Sequence, residues 1–315
     1  MKKNLRPPTS ALIATVLICG CGFVDAAQYY VSPTGNDGNP GTQAAPWASI
    51  GKGVDIYNPG DTLYLRGGTY ALTSGIYFYR SGNAASPITI RSFPGETAVI
   101  DGAAIGNTNS LVYISANYFV MQDLEIKNSK QNGITVEGGT FVTLTNCKVH
   151  DSQDSGIYIG KNDLTSTHDI LVQNCTVYNN CHMNDAHTLN GGWPGALVAG
   201  RASGVTVKDC TIYKNNGEGI IFFLADRCRA TGNTSHDNYG PNIYIDNATN
   251  CVVERNMVYS TLDPAYFRGG SQTCGIQFAN EPYNFQNPSN NITIINNVLV
   301  NNNYAFYYGS YGIGG

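Results

Sequence analysis

The sequence predicts an all-β protein folded as a parallel β-solenoid, and three observations carry the prediction. The first is composition. The 315 residues include 36 Gly and 21 Tyr, with a visible excess of Asn, and only 13% are charged. Gly and Asn disfavour helix and favour turns, whereas Tyr, Val, Ile and Thr favour strands. The second is a repeat. The frame Leu144-Thr145-Asn146-Cys147-Lys148-Val149-His150-Asp151 returns as Val172-Gln173-Asn174-Cys175-Thr176-Val177-Tyr178-Asn179, and again around Cys210. Equivalent positions are Leu124, Cys147, Cys175, Cys210, Asn233, Asn256 and Asn297, separated by 23, 28, 35, 23, 23 and 41 residues. A base period of 23 with loop insertions is the signature of stacked solenoid rungs. The third is alternation in a second strand of each rung, as in Gly156-Ile157-Tyr158-Ile159 and Asn242-Ile243-Tyr244-Ile245.

The same numbers exclude other classes. A hydrophobic share of 42% is ample for a core, so the chain is not globally disordered. Scarce charge rules out a coiled coil. A net charge of −4 with no Lys/Arg block rules out the basic face that nucleic-acid binding needs.

Each element has a local reason. Residues 1–26 read as a secretory signal: Lys2, Lys3 and Arg6 precede an apolar run, and Val24-Asp25-Ala26 offers small residues for cleavage. The alternative is a lipid anchor on Cys21, since Ile18-Cys19-Gly20-Cys21 loosely matches a lipobox. Residues 27–110 read as an N-terminal cap and first coils, with a short amphipathic capping helix over 47–55 and a strand over 62–65. Residues 111–309 read as regular rungs. A C-terminal cap is missing, so the natural chain is expected to extend past 315 or to be covered there by a partner.

Strand alternation assigns faces. Ile134, Ile157, Ile220, Ile243 and Ile276 are expected to stack inward, and Thr135, Tyr158, Leu197, Ile221, Tyr244, Gln277 and Tyr307 to point outward. The Cys147–Cys175–Cys210 column is expected to act as small apolar filling. It is continued by Asn233–Asn256–Asn297, a buried amide ladder. Cys228 and Cys251, one rung apart, are the best disulfide candidate. His150-Asp151 and His236-Asp237 follow the repeat frame and read as rung corners.

Two segments carry a family resemblance. Tyr29-Tyr30-Val31-Ser32-Pro33-Thr34-Gly35-Asn36-Asp37-Gly38 looks like the entry segment of bacterial secreted proteins of the pectate-lyase-like superfamily. Pro59-Gly60-Asp61-Thr62-Leu63-Tyr64-Leu65-Arg66-Gly67-Gly68 looks like their first coil. With the rungs, the resemblance covers nearly all of residues 28–309 and is closest to the family-nine polysaccharide lyases. It implies a right-handed parallel β-helix acting on an extracellular polysaccharide. Family-nine lyases place a catalytic Lys on an outward strand position beside a calcium held by several Asp. Here residues 194–200 align with that strand, Leu197 stands at the lysine position, and the outward column contains no Lys or Arg.

Candidate chemistry sits where insertions leave a rigid scaffold. One insertion, 181–194, carries His182, Asp185, His187 and Trp193, and the other, 262–273, carries Asp263, Tyr266 and Arg268. They leave the stack three rungs apart, roughly 14 Å by rung spacing, and are expected to wall a groove about three sugars long. The reading assigns His187, Arg268 and Glu218 to catalysis, His187 as base, Arg268 as carboxylate clamp and Glu218 as part of an acidic centre with Asp246 and Glu281. Trp193, Tyr244, Tyr158 and Asn280 are assigned to substrate binding, and Asp246, Asn247 and Glu281 to a possible Ca²⁺. Asp151 with Asp154 is a weaker calcium candidate. The expected activity is β-elimination of a uronic-acid polymer by a monomer with no transmembrane segment. The alternatives are a glycoside hydrolase using paired carboxylates and a non-catalytic glycan-binding or adhesion module.

Overall fold

The computed structural model describes residues 26–55, 57–106, 110–189, 192–282 and 288–311. The leader and the Cys21 anchor, except Ala26, lie outside the described residues, as does the chain end from 312. Three parallel sheets, one 10-stranded and two 9-stranded, run the length of the stack. Each takes every third strand of the regular rungs, so one turn of chain visits all three. A middle turn runs through Val142–Thr145, Lys148–His150 and Ile157–Gly160.

The corners explain the composition. The residue two places before the second strand of each rung is left-handed, as at Asn146 (φ 54°), Asn174 (φ 54°) and Asp209 (φ 52°). The residue after it is left-handed too, at Asp151 (φ 57°), Asn179 (φ 51°) and Asp237 (φ 51°). Asn and Asp tolerate this region better than other side-chain-bearing residues. The His-Asp pairs are corners of this kind, with His150 Nδ1 2.7 Å from Asp151 and His236 Nδ1 2.8 Å from Asp237.

Inside, the columns stack as the alternation requires. Ile134, Ile157, Ile220, Ile243 and Ile276 pair rung to rung and are fully buried. Each such side chain contributes about 1.5–3 kcal/mol by leaving water. Cys147, Cys175 and Cys210 are buried free thiols. Asn233 then takes over the column. Its Oδ1 accepts from Cys210 N (2.9 Å) and its Nδ2 donates to Asn256 Oδ1 (2.9 Å), and Asn256 repeats the bond to Asn297 (2.9 Å). A second ladder, Asn180–Asn215–Asn238, closes the next corner. Cys228 and Cys251 stack on adjacent rungs without a disulfide; both are free and buried.

Two expectations shift. The capping helix is shorter than residues 47–55: it spans Ile50–Val54, with Ile50 and Val54 buried as its apolar side. More consequential is Leu197. It pairs with Ile157 and Ile220 and so belongs to the inward stack, while Val198 pairs with Tyr158 and Ile221 in the outward column. In that rung Ala196 takes the slot held by Gly219 in the next one. Reading the strand one residue late exchanges its two faces.

At the last turn, Phe306, Tyr307 and Tyr308 are exposed. No helix among the described residues is long and apolar enough to cross a membrane.

Candidate active site

The third sheet, the one that contains Ile157–Gly160, carries a groove of about 920 Å³ on its outer face. Its floor is the outward column of Tyr158, Val198, Ile221 and Tyr244, which packs with Ala279 and Phe223 of the neighbouring outward column into a second apolar cluster. The column contains no cation. Glycines make room for the aromatic rings: a Cβ on Gly200 would lie 3.0 Å from the Tyr158 hydroxyl.

Seven of the ten residues chosen from the sequence line this groove: Tyr158, Trp193, Glu218, Tyr244, Asp246, Arg268 and Glu281. Glu218 starts the strand Glu218–Phe223 and is 6% exposed; Asp246 ends Ile243–Asp246 and is 4% exposed. Glu218 packs over Gly240, where a Cβ would fall 2.5 Å from its Cγ. Burial pushes the Glu218 carboxyl well above the usual carboxylate range; Asp246 and Glu281 add to the rise and Arg268 opposes it. Glu218 is therefore biased toward its protonated form and is the groove's candidate acid. Tyr244 donates its hydroxyl to Glu281 Oε1 at 2.6 Å, and burial keeps that phenol protonated.

The two insertions do not stand as separate walls. They meet, with the Arg268 guanidinium 3.7 Å from the centre of the Trp193 ring. The indole N–H is anchored on Leu189 O at 2.9 Å. The contact joins two loops three rungs apart and holds a cation at the groove.

Three sequence-chosen residues fall outside the groove lining. His187 stacks on Tyr239 at 3.9 Å, with its Nε2 3.0 Å from Asn216 Oδ1, so it is not the groove's base. Asn280 is buried under the strand end, where its Oδ1 accepts from Ser289 N at 2.7 Å. Asn247 is fully buried and clips the Glu281 backbone, accepting from its N at 2.7 Å and donating to its O at 3.1 Å. It is a staple that positions Glu281. Asn247 is thus committed to the Glu281 backbone, which leaves Asp246 and Glu281 as the acids of that set. Among the described residues no three His, Cys, Asp or Glu side chains converge at metal-binding spacing. Asp151 is likewise committed to its corner, while Asp154 lines the groove and has its carboxyl pushed up by burial.

The sequence reading missed Glu137 and Phe223. Both stand in the outward column that passes through Asp246, with Glu137 toward its N-terminal end, and the rung register alone would have placed them there. Tyr113, whose hydroxyl is pushed up to about 12 by burial and by its bond to Glu137, marks that end of the groove.

Parallel strands stacked on three faces define a parallel β-helix. Within that class the chain belongs to the Pel9A-like right-handed β-helix family, whose model matches residues 29–310. It is 40% identical over 116 residues to pectate lyase PEL9 of Emericella nidulans, covering 33% of this chain and 28% of that protein. It is 26% identical over 217 residues to pectate lyase L of Paenibacillus polymyxa, covering 66% of this chain and 47% of that one. The chain thus spans less than half the length of either relative. The crystal structure of pectate lyase Pel9A superposes with a TM-score of 0.63 at 19% identity, covering 87% of this chain and 78% of that one, a likeness of fold.

Proposed function

We propose that this protein is a secreted polysaccharide lyase that cleaves a uronic-acid-containing glycan by β-elimination in the groove of the third sheet. The observation that carries the reading is Glu218, a buried carboxyl whose protonated form is favoured by burial and by Asp246 and Glu281, in a groove of about 920 Å³. Family membership and the named pectate lyases support it.

The chemistry balances without water or redox change. Asp246 takes the C5 proton. The electrons of the C5–H bond become the C4=C5 double bond, the C4–O4 bond breaks, and Glu218 delivers its proton to the departing O4. Proton return from Asp246 to Glu218 resets the pair. Arg268 meets the uronyl carboxyl oxygen, where negative charge builds as C5 loses its proton. Trp193 offers an aromatic surface to a neighbouring sugar.

The same acid–base pair also suits glycoside hydrolysis, in which water adds across the bond. Absorbance of the unsaturated uronate separates the two. Purified protein incubated with uronan polymers should generate the ultraviolet band. Reducing ends appearing without it would replace the lyase reading with hydrolysis.

A further inference from the structure

We infer that a polysaccharide held in the groove continues past it toward the N-terminal cap and stacks on Tyr77 and Tyr79, which form a distal sugar platform on the first rung of the third sheet. The inference rests on the polysaccharide substrate proposed above and concerns residues remote from the proton transfers.

Register sets the path. Tyr77, Tyr113, Thr135 and Tyr158 occupy the same outward slot on successive rungs, and all four line the groove. Tyr77 also lines a second groove of about 600 Å³, between the capping helix Ile50–Val54 and the strands Gly68–Ala71 and Ile76–Phe78. Its ring is therefore shared by the two grooves. Thr69, Thr73 and Ser74 line the second groove and are exposed, so their hydroxyls are available to those of a sugar. Tyr77 stands five rungs from Ile221 of the Glu218 strand, about 24 Å at the rung spacing. A sugar in an extended chain laid along the column advances by about one rung, so the platform meets roughly the fifth sugar from the reacting one.

The state of the two rings argues for a ligand. Ile76–Phe78 is the end strand of its sheet, and no further rung stacks on Tyr77 from the N-terminal side. Tyr77 is 47% exposed and Tyr79 53%, whereas Tyr244 in the floor is 5% exposed. Yet both rings are held. Tyr77 leans on Tyr113, with ring centres 5.3 Å apart and planes at 38°. Tyr79 donates its hydroxyl to Asp55 Oδ1 at 2.6 Å, and Asp55 is the residue that ends the capping helix. Fixing a side chain costs rotamer entropy, and a ring left half in water recovers little of it by burial. A pyranose laid on the ring supplies the missing return, because its C–H bonds meet the electron-rich face of the phenol while the hydroxyls of both stay wet. The cap thus has a second use: it closes the stack and sets the angle of one platform ring.

The test compares the whole protein with Tyr77→Ala, Tyr79→Ala and Tyr77→Phe on polygalacturonate and on tetragalacturonate, with Ca²⁺ present, by the ultraviolet band. A tetramer reacting beside Glu218 is too short to reach the platform. Each Ala change should lower the polymer-to-tetramer ratio of kcat/KM at least about tenfold, mostly through KM on the polymer. Tyr77→Phe keeps the ring face and should hold the wild-type ratio. An unchanged ratio in folded Ala variants, or a Phe variant as poor as Tyr77→Ala, overturns the inference and leaves the lyase reading standing. A second arm reads binding without turnover, as retardation in a native gel containing polygalacturonate. The wild type should be retarded, and Tyr77→Ala at least about threefold less. Absent or equal retardation overturns the inference. Retardation that depends on Tyr77, with no ultraviolet band from the wild type, overturns the lyase reading and leaves the platform standing.

Discussion

The inner and outer faces of the third sheet are made from alternate residues of the same strands, yet they are built to different rules. The inner face repeats one kind of side chain: Ile134, Ile157, Leu197, Ile220, Ile243 and Ile276, all fully buried. The outer face changes at every rung, through Thr135, Tyr158, Val198, Ile221, Tyr244 and Gln277. Each inner slot meets the same slot above and below at about 4.8 Å, so what suits one rung suits the next. The outer face is released from that rule, and there the buried acids and the apolar floor gather. Inner residues should therefore govern stability, and outer residues activity.

The largest effect expected is on the outer face. Glu218→Gln should lower the elimination rate by about 10³-fold, since the proton for O4 is lost. The same change should raise stability at neutral pH. The Glu218 carboxyl is shifted upward in the fold, so the stability it allows is fully present below its unfolded value, about 4.3, and is lost as pH rises through the folded value. Gln has nothing to ionise, so the variant's melting midpoint should exceed the wild type's at neutral pH and converge with it in acid. The wild-type rate should fall over the same rise in pH. A variant both inactive and destabilised would return Glu218 to a structural role.

The converse test lies inside. Asn233→Ala removes the acceptor for Cys210 N and the donor to Val207 O and Asn256 Oδ1. It should destabilise the fold by about 2–4 kcal/mol in denaturant titrations. Turnover per folded molecule should stay unchanged.

The same contrast decides what could be read from the sequence. The inner face was legible because a repeat exposes any slot that recurs. Leu124, Cys147 and Asn233 declare one column through their spacing. The second ladder was equally available, since Asn180, Asn215 and Asn238 each follow Cys175, Cys210 and Asn233 by five residues. Leu197 was misplaced on the outward face although the frame Ala196-Leu197-Val198 matches Gly219-Ile220-Ile221 and puts it inward, and one residue of error exchanges the faces. The outer site was legible in part. Glu218, Asp246 and Glu281 announce themselves as acids at strand ends, and Trp193 and Arg268 as large side chains in insertions. Their contact could not be read, because it depends on how two loops three rungs apart fold back over the rungs between them. His187 misled for the opposite reason: a titratable residue in a functional loop looks catalytic until its neighbours, here Tyr239 and Asn216, are known.

Smaller effects sharpen the comparison within the outer surface. Arg268→Ala should reduce kcat/KM by about 10- to 50-fold, less than loss of the acid, because it removes charge stabilisation and leaves proton transfer in place. Trp193→Ala should lower Arg268's contribution, so the double variant should fall short of the product of the two single effects.

The smallest effect belongs to His187, and it tests whether being on an active-site insertion is enough to matter. Its ring is held by Tyr239 and Asn216 outside the groove lining, and an aromatic pair of this kind is worth about 0.5–1.5 kcal/mol beyond burial. His187→Ala should therefore shift the melting midpoint slightly downward, change the elimination rate by less than about twofold, and leave the pH profile where Glu218 sets it. A profile that lost its limb near neutral pH in this variant would make His187 part of the proton-transfer machinery after all. The division between an outer face for chemistry and an inner face for stability would then have to extend to the loop that carries it.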